Sequence, residues 1–189
     1  MNQTEKKKKK ILDVTYALLK KKHISDISME KIAEKAGVSK VTIFKYFESK
    51  NNLMNIVIRH SLQHMTSGIQ EIIDNNHDYE RTYNEITELK LKSVKAFPQV
   101  FSDNLMTQYA RDPDFFDLDS RRMRTEMFDK VFQRGRDEGK IDPQFTDEFL
   151  HLFIDVIEEG MKFVDLEMLL PNTDSFVQAI INAFQKSRI

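Results

Sequence analysis

Apolar residues recur every three to four positions along almost the entire chain, and little interrupts them: 189 residues contain only five Gly and four Pro. That spacing stacks side chains on one face of an α-helix, whereas a half-buried strand would need strict alternation. The scarcity of turn formers argues against a turn-rich β-sandwich, a collagen-like repeat or a disordered linker. Fourteen Phe and nine Met, with abundant Leu, Ile, Lys and Glu, point the same way, to an all-α protein. With no Cys, disulfide scaffolds, thiolate zinc sites and cysteine nucleophiles are excluded. No stretch approaches the ~18 apolar residues of a membrane span, and the lysine-rich start leads into no apolar signal run. The expected location is the cytoplasm, without membrane contact.

The periodicity predicts a first helix with Ile11, Leu12, Thr15, Leu18 and Leu19 on one face, preceded by the run Lys6 to Lys10. Ser28 can cap a short second helix through Ala36, which Gly37 stops. Ser39 can cap a third over Lys40 to Phe47, and Ser49 a fourth that continues to about Asn75. After Asn75-Asn76-His77-Asp78, helices are expected at about 80–96, 98–110 and 119–137, broken by Pro98, Asp112-Pro113 and the glycines Gly135 and Gly139. Pro143 can open the next helix, Pro171-Asn172 can end it, and Thr173 or Asp174 can cap a last one.

Charge is divided unevenly along the chain. Residues 1–50 carry 13 Lys against six acids, a balance of +7, while the remainder carries −8. A basic head on an acidic body suits a chain whose one end meets a polyanion. A lysine run is also often a solvated tail, so charge alone leaves both readings open.

Residues 29–47, MEKIAEKAGVSKVTIFKYF, narrow the choice. Two short helices joined at Gly37 cross steeply, with Ile32, Ala33, Ala36, Val38, Ile43 and Phe47 as inner contacts. Lys40, Thr42, Lys45 and Tyr46 then face outward. A short helix presenting a cation, a hydroxyl and a phenol fits the DNA major groove. The helix N-termini capped by Ser28, Ser39 and Ser49 can meet phosphates. Lys50 stands in a first turn where the helix dipole disfavours it, which a phosphate partner would explain. The same pattern also suits a plain helical hairpin within an unrelated bundle.

The segment ISMEKIAEKAGVSKVTIFKYFESKNNL, Ile27 to Leu53, closely resembles the DNA-binding head of TetR-family transcriptional regulators. IAEKAGVS, TIFKYF and the SK that opens the fourth helix carry the likeness, which covers about the first 55 residues. Beyond them the chain is similar in layout alone, with GRDEGKID before a long penultimate helix. The resemblance implies a three-helix head with a helix-turn-helix over 1–48 and an all-helical ligand-binding and dimerisation body over 49–189. It implies base or backbone contacts from Lys40, Val41, Thr42, Phe44, Lys45 and Tyr46, and phosphate contacts near Ser28, Met29, Tyr46 and Lys50, with Ser39 as the cap. Lys45 is the best candidate for base reading, because lysine can donate to the guanine edge. Two positions depart from the family pattern: His23-Ile24 stands where Gly-Tyr or Gly-Phe is common, and Ile27 replaces a frequent Thr.

Implied partners are a palindromic double-stranded DNA operator, a second copy of the chain and a small-molecule inducer. His64, Phe101, Met106, Tyr109, Met123 and Met127 are candidate ligand contacts, although most Met and Phe at helical spacing are simply core. For a dimer interface the broad apolar faces nominate Phe149, Phe153, Val156, Ile157 and Gly160, with Ile180, Ile181 and Phe184 from the last helix. Those faces could equally bury against their own body. No catalytic motif is present, so neither an enzyme nor a cofactor is expected. His60 and His64, four apart, do not make a metal site without further ligands, and DPDFFDLD lacks the glycine and terminal glutamate of a calcium loop. The function expected is a repressor released from DNA by a ligand. The competing expectations are a ligand-independent architectural DNA binder and, more weakly, an adaptor that has lost DNA binding.

Overall fold

The computed structural model describes residues 2–75, 78–112, 115–164 and 166–185; Asn76, His77 and Pro113, expected at helix breaks, lie outside them. The helices are α1 Gln3–Leu19, α2 Met29–Ala36, α3 Lys40–Phe47, α4 Lys50–Ser61, α5 Gln63–Asp74, α6 Tyr79–Lys95, α7 Gln99–Arg111, α8 Leu118–Asp137, α9 Asp147–Met161, α10 Leu166–Leu169 and α11 Thr173–Ala183. No strand occurs among the described residues. No helix among them is long and apolar enough to cross a membrane. The chain packs as two compact units, Met1–Gln63 with Val94–Phe115, and His64–Ser93 with Phe116–Ile189. Packing therefore draws its line elsewhere than the division at 48/49: α4 and α7 go with α1 to α3.

In the first unit, α1 begins earlier than the apolar pattern suggests. The Asn2 side chain accepts from the Glu5 N–H at 2.9 Å, and the Glu5 carboxylate accepts from the Asn2 N–H at 2.8 Å. This reciprocal cap satisfies two orphan donors and draws Lys6 to Lys10 into the helix. Ile11, Leu19, Ile32, Ile43, Leu53, Met54 and Ile58 are wholly buried and form the core of this unit. Each such side chain contributes about 1.5–3 kcal/mol by leaving water.

A buried amide holds the end of α1. Asn104 of α7 accepts from the Ile24 N–H at 2.9 Å and donates to the carbonyls of Leu19 at 3.0 Å and Lys22 at 2.8 Å. Helix ends leave carbonyls without intrahelical partners, and here α7 supplies one. One turn further along, Gln108 donates to Asn51 and Asn55 of α4, both at 2.7 Å. Asn51 and Asn55 in turn donate to Asp112. The polar side chains between α4 and α7 are thus bonded to one another as an unbroken set.

The expected helix from Lys50 to Asn75 is divided at Leu62. No Gly or Pro marks the break; the Ser61 hydroxyl bonds back to the Val57 carbonyl at 2.8 Å, a contact that competes with the helix ladder. His60 and His64 consequently lie on different helices.

The second unit is centred on Tyr79, Phe132, Ile141, Leu150, Ile181 and Phe184, all nearly or fully buried. α8 runs straight through Gly135 rather than ending there. A Cβ at Gly135 would stand 2.7 Å from Ile141 and 2.9 Å from Tyr79, so only glycine permits this approach. Arg134 closes the same region by donating to the Ile73 carbonyl at 2.6 Å and the Thr82 hydroxyl at 2.7 Å. α9 opens at Thr146, whose hydroxyl accepts from the Phe149 N–H at 3.2 Å, and not at Pro143. It stops at Met161, ahead of Pro171, and the last helix starts at Thr173 without a side-chain cap.

Two stability effects follow. Asn104→Ala strands backbone groups of Leu19, Lys22 and Ile24, and should cost about 2–3 kcal/mol in a urea-unfolding measurement. Glu48, between α3 and α4, sits at φ 65° and ψ −49°, a strained backbone for any residue with a Cβ. Glu48→Gly should therefore raise stability by about 1 kcal/mol, read as a higher urea midpoint with unchanged slope.

Candidate nucleic-acid interface

The second and third helices are built as the sequence pattern requires. The Ser28 hydroxyl accepts from the Lys31 N–H at 3.1 Å and opens α2; Ser39 accepts from the Thr42 N–H at 3.1 Å and opens α3. Between them Gly37 adopts φ 65°, ψ 40°, the left-handed conformation that glycine takes without steric cost. Ile32, Ala33, Ala36, Ile43 and Phe47 are buried, while Val38 is half-buried. α3 has no freedom to turn its inward face out.

What α3 presents outward is mixed in character. Lys40 and Lys45 are exposed. Val41 is 77% exposed and Phe44 39%, unusual for apolar side chains on a helix with a core to pack against. Two apolar groups beside two cations match a major groove that offers thymine methyls next to base acceptors and phosphates. Thr42 is half-buried and its hydroxyl lies 2.8 Å from that of Ser39, within the cap rather than facing outward alone. Tyr46 is half-buried against Phe47, with ring centroids 6.4 Å apart.

Lys40 is paired with Glu30 of α2, and this contact holds the Glu30 carboxyl below the usual carboxylate range. Two lysines that the helix-turn-helix reading passed over stand beside this surface. The Lys8 ammonium lies 5.4 Å from the Tyr46 ring centroid, and that of Lys10 lies 3.4 Å from where a Cβ on Gly37 would stand. The signal was present in the sequence: Asn2 and Glu5 stand at capping-box spacing, which makes the lysine run helical and not a loose tail.

Two residues expected at phosphates are also engaged within the chain. The Met29 side chain is 6% exposed and belongs to the core, so this residue offers a partner only its N–H in the first turn of α2. Lys50 has an internal partner, donating to the Ile24 carbonyl at 2.7 Å. That bond accounts for a cation in a first turn without any phosphate.

The candidates in the body fare unevenly. Phe101 is fully buried, its ring 4.7 Å from that of Phe97 and 5.5 Å from that of Tyr16, so it is a core residue of the first unit. Tyr109 packs on Phe115 at 5.9 Å, and Met106 is half-buried on the same helix. His64 and Met123 are exposed and Met127 is half-buried, all three in the second unit. The six are therefore not gathered at one site within either unit. Of the dimer candidates, Ile180, Ile181 and Phe184 are buried in the chain's own core, which corrects their expected role. Phe153 and Ile157 pack partly against the same core, while Phe149, Val156 and Gly160 face outward.

Residues 11–57 match the model of the bacterial regulatory proteins of the tetR family. No curated protein matches the chain as a sequence relative. Among solved structures, the fatty acid degradation regulator FadR from Bacillus halodurans is similar at a TM-score of 0.65, with 15% identity over 93% of this chain and 94% of that one. The ketosteroid transcriptional regulator of Mycobacterium tuberculosis is similar at 0.58, with 15% identity over 95% of both chains. NalD, the secondary repressor of a multidrug efflux pump in Pseudomonas aeruginosa, matches along 100% of both chains at 0.55 and 17% identity. At these identities the structures speak for the fold, and the head speaks for the family. The capped helix-turn-helix thus lies in a segment, residues 11–57, that matches the tetR family of bacterial regulatory proteins, and the chain as a whole shares the all-helical fold of solved regulators of that type.

Proposed function

We propose that the chain acts as a homodimeric repressor that places α3 of each copy in successive major grooves of a palindromic operator and leaves DNA when its body binds a small ligand. The observation that carries this reading is the outward face of α3, where Val41, Phe44 and Lys45 project from a helix locked by its buried side. Lys45 is assigned to base reading, Val41 and Phe44 to apolar contact with thymine methyls, and Lys40, Lys8 and Lys10 to phosphates. The capped N-termini of α2 and α3 add N–H donors for the backbone.

The second copy is assigned to the outer face of α9. Phe149, Leu152 and Val156 are 43%, 60% and 61% exposed at the spacing of one helical stripe, and Phe163, in the turn just beyond the helix, is 85% exposed. A Cβ on Gly160 in the same stripe would meet no described residue within 4 Å, so the glycine leaves room for another backbone. On α11, Phe176 is 40% exposed and extends the apolar surface. A two-fold axis through such a patch buries it against itself. Release requires that the ligand bind the DNA-free arrangement more tightly than the DNA-bound one; tight binding alone shifts nothing.

Selection of genomic fragments by the purified protein at near-physiological salt tests the regulator reading. One or a few sites sharing a palindrome are expected; diffuse, salt-sensitive recovery without a motif would replace it with the architectural reading. In the same selection, Lys45→Ala should relax preference at one base position in each half-site, a loss of about 1–3 kcal/mol of discrimination there. Val156→Glu places a charge in the apolar stripe, and sedimentation should show it as a folded monomer. A dimer of wild-type stability would move the interface elsewhere.

A further inference from the structure

In the second unit, two buried hydrogen-bond donors and an exposed lysine have no acceptor among the described residues. α6 places Tyr79, Tyr83, Ile86 and Lys90 at intervals of four, three and four residues, on one helical face. Tyr79 is fully buried and its hydroxyl has no hydrogen-bond partner. Its ring meets that of Tyr83 at a centroid distance of 6.1 Å. On α8, Arg124 donates through one terminal nitrogen to Asp155 at 2.6 Å and through the other to Glu158 of α9, yet its buried Nε–H is unpartnered. The Lys90 ammonium makes no hydrogen bond or ion pair with any described residue.

The electrostatics agree with this arrangement. Burial pushes the Lys90 pKa down, opposed by Glu158 and reinforced by Arg124, although much of the side-chain surface is uncovered by protein. Burial, with Glu158 adding to it, pushes the Tyr83 phenol up to about 12, and Tyr79 moves the same way. Both phenols therefore remain protonated donors at neutral pH. A lysine ammonium and an arginine Nε–H can only donate, and the two protonated phenols can donate as well as accept, so an acceptor-rich partner would suit all of them.

We propose that the body binds an organic anion, with a carboxylate or phosphate head at Lys90, Arg124 and Tyr83 and an apolar remainder. Met65, Ile86, Met127 and Phe128, half-buried around the core, supply adaptable apolar walls. Glu158 orients Arg124 and keeps the empty site from holding two unopposed cations. The inference rests on the reading of the body as ligand-responsive and gives that ligand its chemical class. Arg124 lies between two of the methionines nominated from sequence, Met123 and Met127, but a search weighted toward aromatics and methionines passes over the charged residue.

The test uses the full chain, with thermal melting and calorimetric titration against decanoate, decyl phosphate, decanol and inorganic phosphate, the amphiphiles below their micelle concentrations. Decanoate, decyl phosphate or both should raise Tm, whereas decanol and inorganic phosphate should not. A response to decanoate alone assigns a carboxylate ligand, and one to decyl phosphate alone assigns a phosphate ester. Lys90→Met should weaken the responding anion at least tenfold, and Lys90→Arg should keep most of the affinity. Decanol matching the anions, inorganic phosphate matching decyl phosphate, undiminished binding by Lys90→Met, or no binding by any probe would overturn the proposal. DNA affinity is measured separately: an anion that binds without altering it upholds the site and removes the release step, and a chain that takes up the anion but no DNA removes the repressor reading alone.

Discussion

The buried amide of Asn104 is the contact on which the arrangement of the DNA-binding unit depends. Its three hydrogen bonds join α7 to the end of α1 and to the turn that leads into α2. Gln108 repeats the connection to α4 one turn later. Buried polar groups must be satisfied, and a connected set of such bonds tolerates few alternative geometries. α7 is far from the head in sequence but part of it in packing. Whatever displaces α7 therefore displaces the scaffold that carries α3.

The head divides its labour between fixed and presented groups. Ser28 and Ser39 are committed to caps, Lys50 to the Ile24 carbonyl, and Thr42 to the Ser39 hydroxyl. Val41, Phe44 and Lys45 remain free for a partner on the face of an eight-residue helix. Preorganised side chains lose less entropy on binding than mobile ones, so the fixed groups support the few that read. On the proposed reading, the lysines of α1 lengthen the electrostatic footprint without adding sequence information.

Much of the head was legible because each of its elements has a local cause. Ser28, Ser39 and Ser49 stand immediately before apolar-periodic segments, and all three cap as expected. Gly37 takes the left-handed turn, and the inward set from Ile32 to Phe47 follows from spacing alone. The misreadings arise where the cause is not local. Nothing in LQHMT announces the break after Ser61. Lys50 seemed to need a phosphate because Ile24, its acceptor, is 26 residues earlier. An amphipathic face shows that something covers it, but not what: the faces of α9 and α11 look alike in sequence, yet Phe184 packs inward and Val156 points out. In the body, the sequence pattern favoured apolar residues for ligand contact, whereas the buried donors left without a partner among the described residues are the Tyr79 hydroxyl and the Arg124 Nε–H, which only three-dimensional packing reveals.

The central claim is that α3 of two symmetry-related copies lies in the major groove. Methylation interference on a selected DNA fragment tests it directly, because dimethyl sulfate modifies guanine N7 in the major groove and adenine N3 in the minor groove. The account predicts two clusters of interfering guanines related by a dyad and separated by about one helical turn, roughly 10 bp, or a small multiple of it. Interference confined to adenines, or a single cluster without a symmetry mate, would contradict it.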